Sequence, residues 1–459
     1  MGWRPRLVRH RFAQTTVGER ALIERPEISD SEGTMHLVTS LIIDLIYAVA
    51  AVVSLPVWLI RLIRTGKIRT DWAGRFGRVS IRAKRSSRPR LLFHAVSVGE
   101  VNAIRRLVDE LDDDFEIVIA STTNTGYCRA VDIYGSKHQV VRYPFDFSPA
   151  VSQFLNTVGP DAAVLVELEV WPNFIRSCRR RGIQVVVVNG RLSARSFARY
   201  RRIRPIIAPM FRSLKAVGAQ DADVANRFIA LGTKADRVVV QGTMKWDNAT
   251  IADDAAGSDK LADSFGINRA KPIVVAGSTA EGEETLIHEA VPPNVQLIVA
   301  PRKPERFDEA AAALGNGVIR RTECMKNHER QPSGGKRFLL DTIGELKTAY
   351  ALADLVIVGR TFGNLYGSDM IEPIALGKAT IVGPRTSDFD SIMCELLAGD
   401  GIVQIRSRSE LKKTVAHLLN DESARRRLGE RGRQVIRRNQ GAVERHAEMI
   451  RHVMNARPD

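Results

Sequence analysis

From residue 91 onward, short runs of Val, Ile, Leu and Ala recur at regular intervals, with stretches of mixed polar and apolar residues between them. The runs Leu91–Val96, Glu116–Ser121, Gln139–Tyr143, Ala162–Val166, Gln184–Asn189, Lys215–Ala219 and Val238–Gln241 are largely apolar on both faces. That is the pattern of parallel strands covered by helices on either side. Helical spacing lies between them, as over Val101–Leu111 and Asp221–Leu231. The alternation predicts a doubly wound α/β domain. Residues 247–271 are rich in Asp, Ala and Gly and read as a linker. A second alternating set follows: Pro272–Ala276, Val295–Ala300, Arg337–Leu340, Leu355–Gly359, Ala379–Gly383 and Ile402–Ile405. It predicts a second domain of the same kind. From Ser409 to Met454 the pattern is helical and strongly basic.

A different pattern occupies the N-terminal end. From Leu37 to Ile63 the chain is almost wholly apolar, broken by Asp44 and Arg61. A helix of that length reaches across a bilayer core at about 1.5 Å per residue, so residues 35–64 are expected to form a membrane-anchor helix. Asp44 is costly in a full span, which leaves a shallow interfacial helix as the alternative. A cleaved signal peptide is disfavoured, because the run is too long and no small-residue cleavage site follows. Residues 1–34 read as a disordered tail, or as an upstream extension of a chain that starts at Met35. Beyond the run come Arg64, Lys67, Arg69, Arg75, Arg78, Arg82, Lys84, Arg85, Arg88 and Arg90, opposed only by Asp71. By the positive-inside rule everything after residue 64 is expected in the cytoplasm. The same basic cluster suits anionic headgroups.

Length and charge sharpen this picture. A chain of 459 residues exceeds one ordinary core. A net charge of +16 and a pI near 10.0 call for an anionic partner: nucleic acid, a membrane surface or a phosphorylated substrate. Aromatic residues make up only 6%, and no aromatic RNA-binding signature or zinc-finger spacing is present, so anionic lipid is favoured and nucleic acid is not expected. Cys128, Cys178, Cys324 and Cys394 form no CxxC pair and read as free thiols. The nine histidines include no HExxH, and no metal is expected.

Candidate chemistry begins at Phe93-His94-Ala95-Val96-Ser97-Val98-Gly99-Glu100. A strand ends there in a small turn that delivers Glu100 to its carboxyl edge, where open α/β sheets bind ligands. The alternative is that Glu100 simply caps the following helix. Glu167 and Glu169 close another strand before Trp171-Pro172. Alternate residues share a face, so both point into a cleft or bond to Asn189 or Arg191. Arg191, Ser193, Arg195 and Ser196 form a cationic, hydroxyl-rich loop suited to a phosphate, or a solvated surface loop. Gly277-Ser278-Thr279 separates a strand from a helix opening at Glu281-Gly282-Glu283-Glu284. Free N–H groups at a helix start bind anions; an ordinary cap is the alternative. Arg302, Lys303 and Arg306 follow the end of another strand.

These segments, taken in order, resemble the Kdo transferases, which move 3-deoxy-D-manno-octulosonic acid (Kdo) from CMP-Kdo to a lipid A precursor. The matching pieces include Phe93–Glu100, Ser121-Thr122-Thr123-Asn124-Thr125-Gly126, Tyr143-Pro144-Phe145-Asp146, Glu167–Asn173, Asn189–Ser196 and Gly218-Ala219-Gln220-Asp221. In the second half they are Gly277–Thr279, Pro301–Arg306, Asp341–Leu346 and Glu372-Pro373. The resemblance implies two Rossmann-like domains facing a cleft, the GT-B glycosyltransferase architecture. An acceptor-binding domain over 65–248 and a CMP-Kdo-binding domain over 249–420 would be followed by basic helices over 421–459. Glu100 would be the general base. Ser97, Glu167, Glu169, Arg191, Ser193, Arg195 and Ser196 would meet the lipid A precursor, whose phosphates suit the arginines. Gly277, Ser278, Thr279, Arg302, Lys303, Arg306, Ser368, Asp369 and Glu372 would bind the donor, with Glu372 on the ribose hydroxyls. No cofactor is implied. The chain departs from the family at two places. Lys303 stands where the family usually has His, and Tyr366-Gly367-Ser368-Asp369 replaces Gly-Gly-His-Asn. The implied place of work is the cytoplasmic face of the inner membrane. A different nucleotide-sugar donor, or a non-catalytic protein that binds anionic lipid, are the competing expectations.

Overall fold

The computed structural model describes residues 70–81, 87–326 and 336–456, with some residues between 41 and 55. It contains two parallel α/β sheets. The first holds β1 (Arg90–His94), β2 (Glu116–Ser121), β3 (Gln139–Arg142), β4 (Ala162–Val166), β5 (Gln184–Gly190), β6 (Ala216–Ala219) and β7 (Val238–Val240). The second holds β8 (Ile273–Thr279), β9 (Gln296–Pro301), β10 (Ile319–Arg320), β11 (Arg337–Leu339), β12 (Leu355–Val358), β13 (Ala379–Val382) and β14 (Val403–Gln404). Their orders are β3-β2-β1-β4-β5-β6-β7 and β10-β11-β9-β8-β12-β13-β14. At the centre of each sheet the order reverses, between β1 and β4 and between β8 and β12. A crevice opens at the carboxyl ends of the strands at such a reversal.

Apolar residues on both faces of each strand explain the layers. Leu91 and Phe93 enter one core with Ile117, Ile119 and Val164, while Leu92 enters the other with Val118, Ala163 and Leu165. The second sheet divides its strands the same way. β10 escaped the sequence pattern because only two residues pair at the sheet edge. The helix expected over 101–111 starts earlier, at Val98, and breaks at Ile104 into Val98–Ala103 and Arg105–Leu111.

Residues 247–271 are not a linker. They contain the helix Ser258–Phe265, bounded by Gly257 and Gly266 in left-handed conformations, and Leu261 and Phe265 are buried in the second domain. The composition that suggested flexibility supplies helix ends instead. The chain crosses between domains in fewer residues: Met244 belongs to a core of the first domain and Trp246 to a core of the second.

The C-terminal helix Ala442–Asn455 returns to the first domain and buries Val443, Ala447 and Ile450 there. Asp247 caps it, accepting from the Gly441 and Val443 amides at 2.6 and 3.1 Å. His446 Nε2 accepts from the Asn189 amide at 2.9 Å, so Nδ1 carries the proton and donates to Ala442 O at 2.7 Å. Gly218 makes room for this imidazole, since a Cβ there would lie 2.7 Å from Nε2.

Much of the expected anchor, and all of the expected tail, lies outside the described residues. Among the described residues no helix is long and apolar enough to cross a membrane. Those described between 41 and 55 are helical, and Leu41, Leu45, Val49, Val52, Val53 and Leu55 are 56–75% exposed. Asp44, costly in lipid, has protein partners: its carboxylate accepts from the Ser148 amide at 3.0 Å and from Asn173 Nδ2 at 2.8 Å. Tyr47 donates to Asp146 at 3.0 Å.

His446→Ala would leave the buried Asn189 amide without its acceptor. The expected loss is about 1–3 kcal/mol, read as a lower thermal unfolding midpoint than the wild type.

Candidate active site

The turn after β1 is built by Ser97. Its backbone is extended, and its hydroxyl accepts from the Glu100 amide at 3.3 Å and donates to Glu100 Oε1 at 2.9 Å. The other carboxylate oxygen accepts from the Val96 amide at 2.8 Å. This is close to a capping box, with the carboxylate reaching back to the amide one residue before the N-cap instead of to the N-cap amide itself. The helix-start role that the sequence offered as the alternative is therefore made, and it engages both carboxylate oxygens of Glu100.

Glu100 stands at the reversal point, because β1 pairs directly with β4. Glu167, in a left-handed conformation with φ of 62°, and Glu169 follow β4. Glu169 accepts from Trp171 Nε1 at 2.7 Å, and Glu167 lies 4.0 Å from Arg191 Nη1. Burial pushes the Glu100 carboxyl up to about 7, and the charges of Glu167 and Glu169 push the same way against the two hydrogen bonds. Burial likewise raises Glu169 to about 7. Raised carboxyls hold protons in the folded state that the unfolded chain has released. Their contribution to stability is full below the ordinary value of 4.5 and is lost as pH rises through 7. Asp146 is also raised to about 7 by burial, but its role is structural, since it accepts from the Asn173 and Phe174 amides at the start of the helix Pro172–Arg180.

Ser193, Arg195 and Ser196 lie in a helix start, not a loop. Ser193 caps the helix Ala194–Arg202, accepting from the Ser196 amide at 3.2 Å and donating to its hydroxyl at 3.1 Å. Arg195 is exposed on its first turn.

The second reversal point carries the other candidate residues. β8 runs through Thr279, with Ser278 at φ 56°. Gly277 has to be glycine, since a Cβ there would lie 1.9 Å from the Tyr350 hydroxyl. The charges of Glu372, Asp369 and Arg302 all reach that hydroxyl, which burial raises well above its ordinary value. Burial raises Glu372, with Asp369 adding and Lys347 opposing. Asp369 accepts from the Ile371 amide at 2.8 Å, Ser368 is buried, and Lys303 is exposed.

Arg306 is not the free cation expected. Its guanidinium grips buried Glu284 with bonds of 2.8 and 3.0 Å and also holds Glu309 at 2.8 and 3.1 Å. Thr279 donates its hydroxyl to the same Glu284 at 2.7 Å. Sequence reasoning missed Glu283, which read only as part of a helix opening. It is buried, and its carboxylate accepts from the amides of Ala280, Arg360 and Phe362 at 2.8, 2.6 and 3.0 Å, tying the turn after β8 to the turn after β12. Lys245, at the domain crossing, was missed as well.

Residues 70–248 match the family model of the 3-deoxy-D-manno-octulosonic-acid transferases (kdotransferases). The chain is 32% identical to the 3-deoxy-D-manno-octulosonic acid transferase of Haemophilus influenzae over 375 residues, covering 79% of this chain and 86% of that protein. The chain belongs to the 3-deoxy-D-manno-octulosonic acid transferase family. A second relative of that name, from Bordetella pertussis, is 29% identical over 86% of this chain and 95% of its own length. Among solved structures, a glycosyltransferase from Rickettsia africae covers 81% of this chain and all of its own, with a TM-score of 0.55 at 11% identity. That likeness shows the two-domain GT-B fold. This Kdo transferase is thus a glycosyltransferase whose two strand-order reversals carry its candidate residues.

Arg306→Ala would strand the Glu284 carboxylate in a buried setting. The expected cost is about 3–5 kcal/mol of stability, so thermal unfolding should register it, and a loss confined to donor affinity with stability intact would contradict the assignment.

Proposed function

We propose that this enzyme transfers Kdo from CMP-Kdo to the lipid A precursor lipid IVA, with inversion, and that Glu100 is the general base. The observation that carries the reading is a carboxyl raised to about 7 at the edge of β1, at the strand-order reversal of the first domain. A base with that value is about half ionised at pH 7 and basic enough to take a proton from an attacking hydroxyl. The acceptor hydroxyl gives its proton to Glu100 as its oxygen bonds to the anomeric carbon, and the bond to CMP breaks on the opposite side. Ser97 and the Val96 amide hold the carboxylate in place. Glu167 and Glu169 keep it proton-seeking and orient the acceptor. Arg191 and Arg195, with Ser193 and Ser196, take the acceptor's phosphates. The Gly277-Ser278-Thr279 turn, Arg302 and Lys303 take the donor phosphate, and Glu372, Ser368 and Asp369 take the ribose. Arg306 acts through Glu284 by holding the Thr279 side of the turn.

In the same reading the protein works at the cytoplasmic face of the inner membrane against anionic lipid. The exposed row Leu41, Leu45, Val49, Val52 and Val53 supports an apolar helix surface in the bilayer interface. Asp44 and Tyr47 on the same stretch bond to the first domain, which favours an interfacial helix over a span at that point.

The test is Kdo transfer in detergent micelles, with CMP-Kdo generated in situ and tetraacyl lipid A precursor as acceptor. Glu100→Gln keeps an oxygen for the Val96 amide and an amide for the Ser97 hydroxyl, so the fold should persist while turnover falls about 10²–10⁴-fold. Wild-type kcat/KM should rise tenfold per pH unit below about 7 and level off above it. Near-normal turnover by folded Glu100→Gln, or activity with UDP- or GDP-sugars in place of CMP-Kdo, would overturn the reading.

A further inference from the structure

Lys245 occupies a singular position in the chain. Its two neighbours are buried in different domains, Met244 in a core of the first and Trp246 in a core of the second. The Met244 amide also donates to Asn189 Oδ1 at 3.2 Å. The backbone that carries Lys245 is thereby fixed at the point where the two domains join. Its side chain is half-buried, with Nζ 4.6 Å from the centre of the Phe389 ring. The charges that reach it come from both sides: Arg191 and Glu167 from the first domain, Asp369 and Asp388 from the second. None of them pairs with it. Among the described residues this ammonium makes no ion pair and donates no hydrogen bond; the Phe389 ring is its one close partner. Burial holds it below the ordinary lysine value.

A half-buried ammonium without a counter-ion is unfavourable. Two acidic partners stand nearby on the second domain without closing on it, so the site is arranged for an anion that arrives from outside. We propose that Lys245 pairs with the carboxylate of the donor sugar and thereby selects an acidic sugar over neutral ones. This rests on the function proposed above. An octulosonic acid carries its carboxylate on C1, beside the C2 keto carbon that becomes the anomeric centre. A cation that holds the carboxylate therefore also fixes the carbon under attack. The location fits that role. The charges of Glu167 and Arg191 from the first domain and of Asp369 from the second reach Lys245, and Glu167 also acts on Glu100 while Asp369 acts on the Tyr350 hydroxyl beside Gly277. Of the cations that follow β9, Arg306 is paired with Glu284, while Arg302 and Lys303 are exposed. The Phe389 face excludes water from one side of the ammonium, which strengthens a charge pair formed there.

The experiment compares wild type, Lys245→Met and Lys245→Arg in the same micellar assay, and measures CMP binding by calorimetry. Lys245→Met should lower kcat/KM for CMP-Kdo by about 30- to 1,000-fold, leave the dissociation constant of CMP within about twofold, and leave the thermal midpoint unchanged. Lys245→Arg should restore part of the loss. Unimpaired kcat/KM in Lys245→Met, or an equal weakening of CMP and CMP-Kdo, would overturn the assignment while wild-type Kdo transfer still upheld the function. No transfer by the folded wild type would overturn both.

Discussion

A carboxyl group held partly out of water, next to two others of the same charge, is the constraint on which the first domain's site depends. Ionised Glu100 is disfavoured by burial and by Glu167 and Glu169, and is supported by the Val96 amide and the Ser97 hydroxyl. Neither side wins outright, and the balance falls near neutrality. The fold makes the conflict unavoidable. β1 and β4 are neighbours at the point where strand order reverses, so the turns that follow them must deliver their side chains to one crevice. The left-handed backbone at Glu167 marks how tightly that turn is drawn.

The second domain repeats the geometry and solves a different problem. The residues that shape its crevice include two fully buried glutamates. Glu283 replaces the missing backbone partners of two turns, and Glu284 is neutralised by Arg306. These acids are internal scaffolding that leaves the glycine-containing turn beside Tyr350 open. The two crevices are kept in register by a short crossing at Met244–Trp246 and by the C-terminal helix, which Asp247 caps and His446 locks onto β5.

The sheets were legible in the sequence because their signal is local and redundant. Runs such as Ala162–Val166 and Leu355–Val358 are apolar on both faces, and only parallel strands buried on both sides need that. The placement of Glu100 at the edge of β1 was legible for the same reason, since a strand-turn-helix boundary is written in consecutive residues. What was not legible depended on partners distant in sequence. Nothing near Arg306 announces that Glu284 will occupy it, and nothing near Asp44 announces Ser148 and Asn173. Lys245 sits among residues that read as a domain exit, and its isolation from counter-ions exists only once both domains are folded. The stretch 247–271 misled because Asp, Ala and Gly mark helix ends as readily as flexible chain.

The most direct test of this account is the titration of the Glu100 side-chain carboxyl by 13C NMR, assigned by difference from Glu100→Gln. The account predicts a midpoint of about 7 that moves down toward the ordinary glutamate range when Glu167 and Glu169 are both replaced by Gln. A midpoint near 4.5 in the wild type, indifferent to those two replacements, would contradict it.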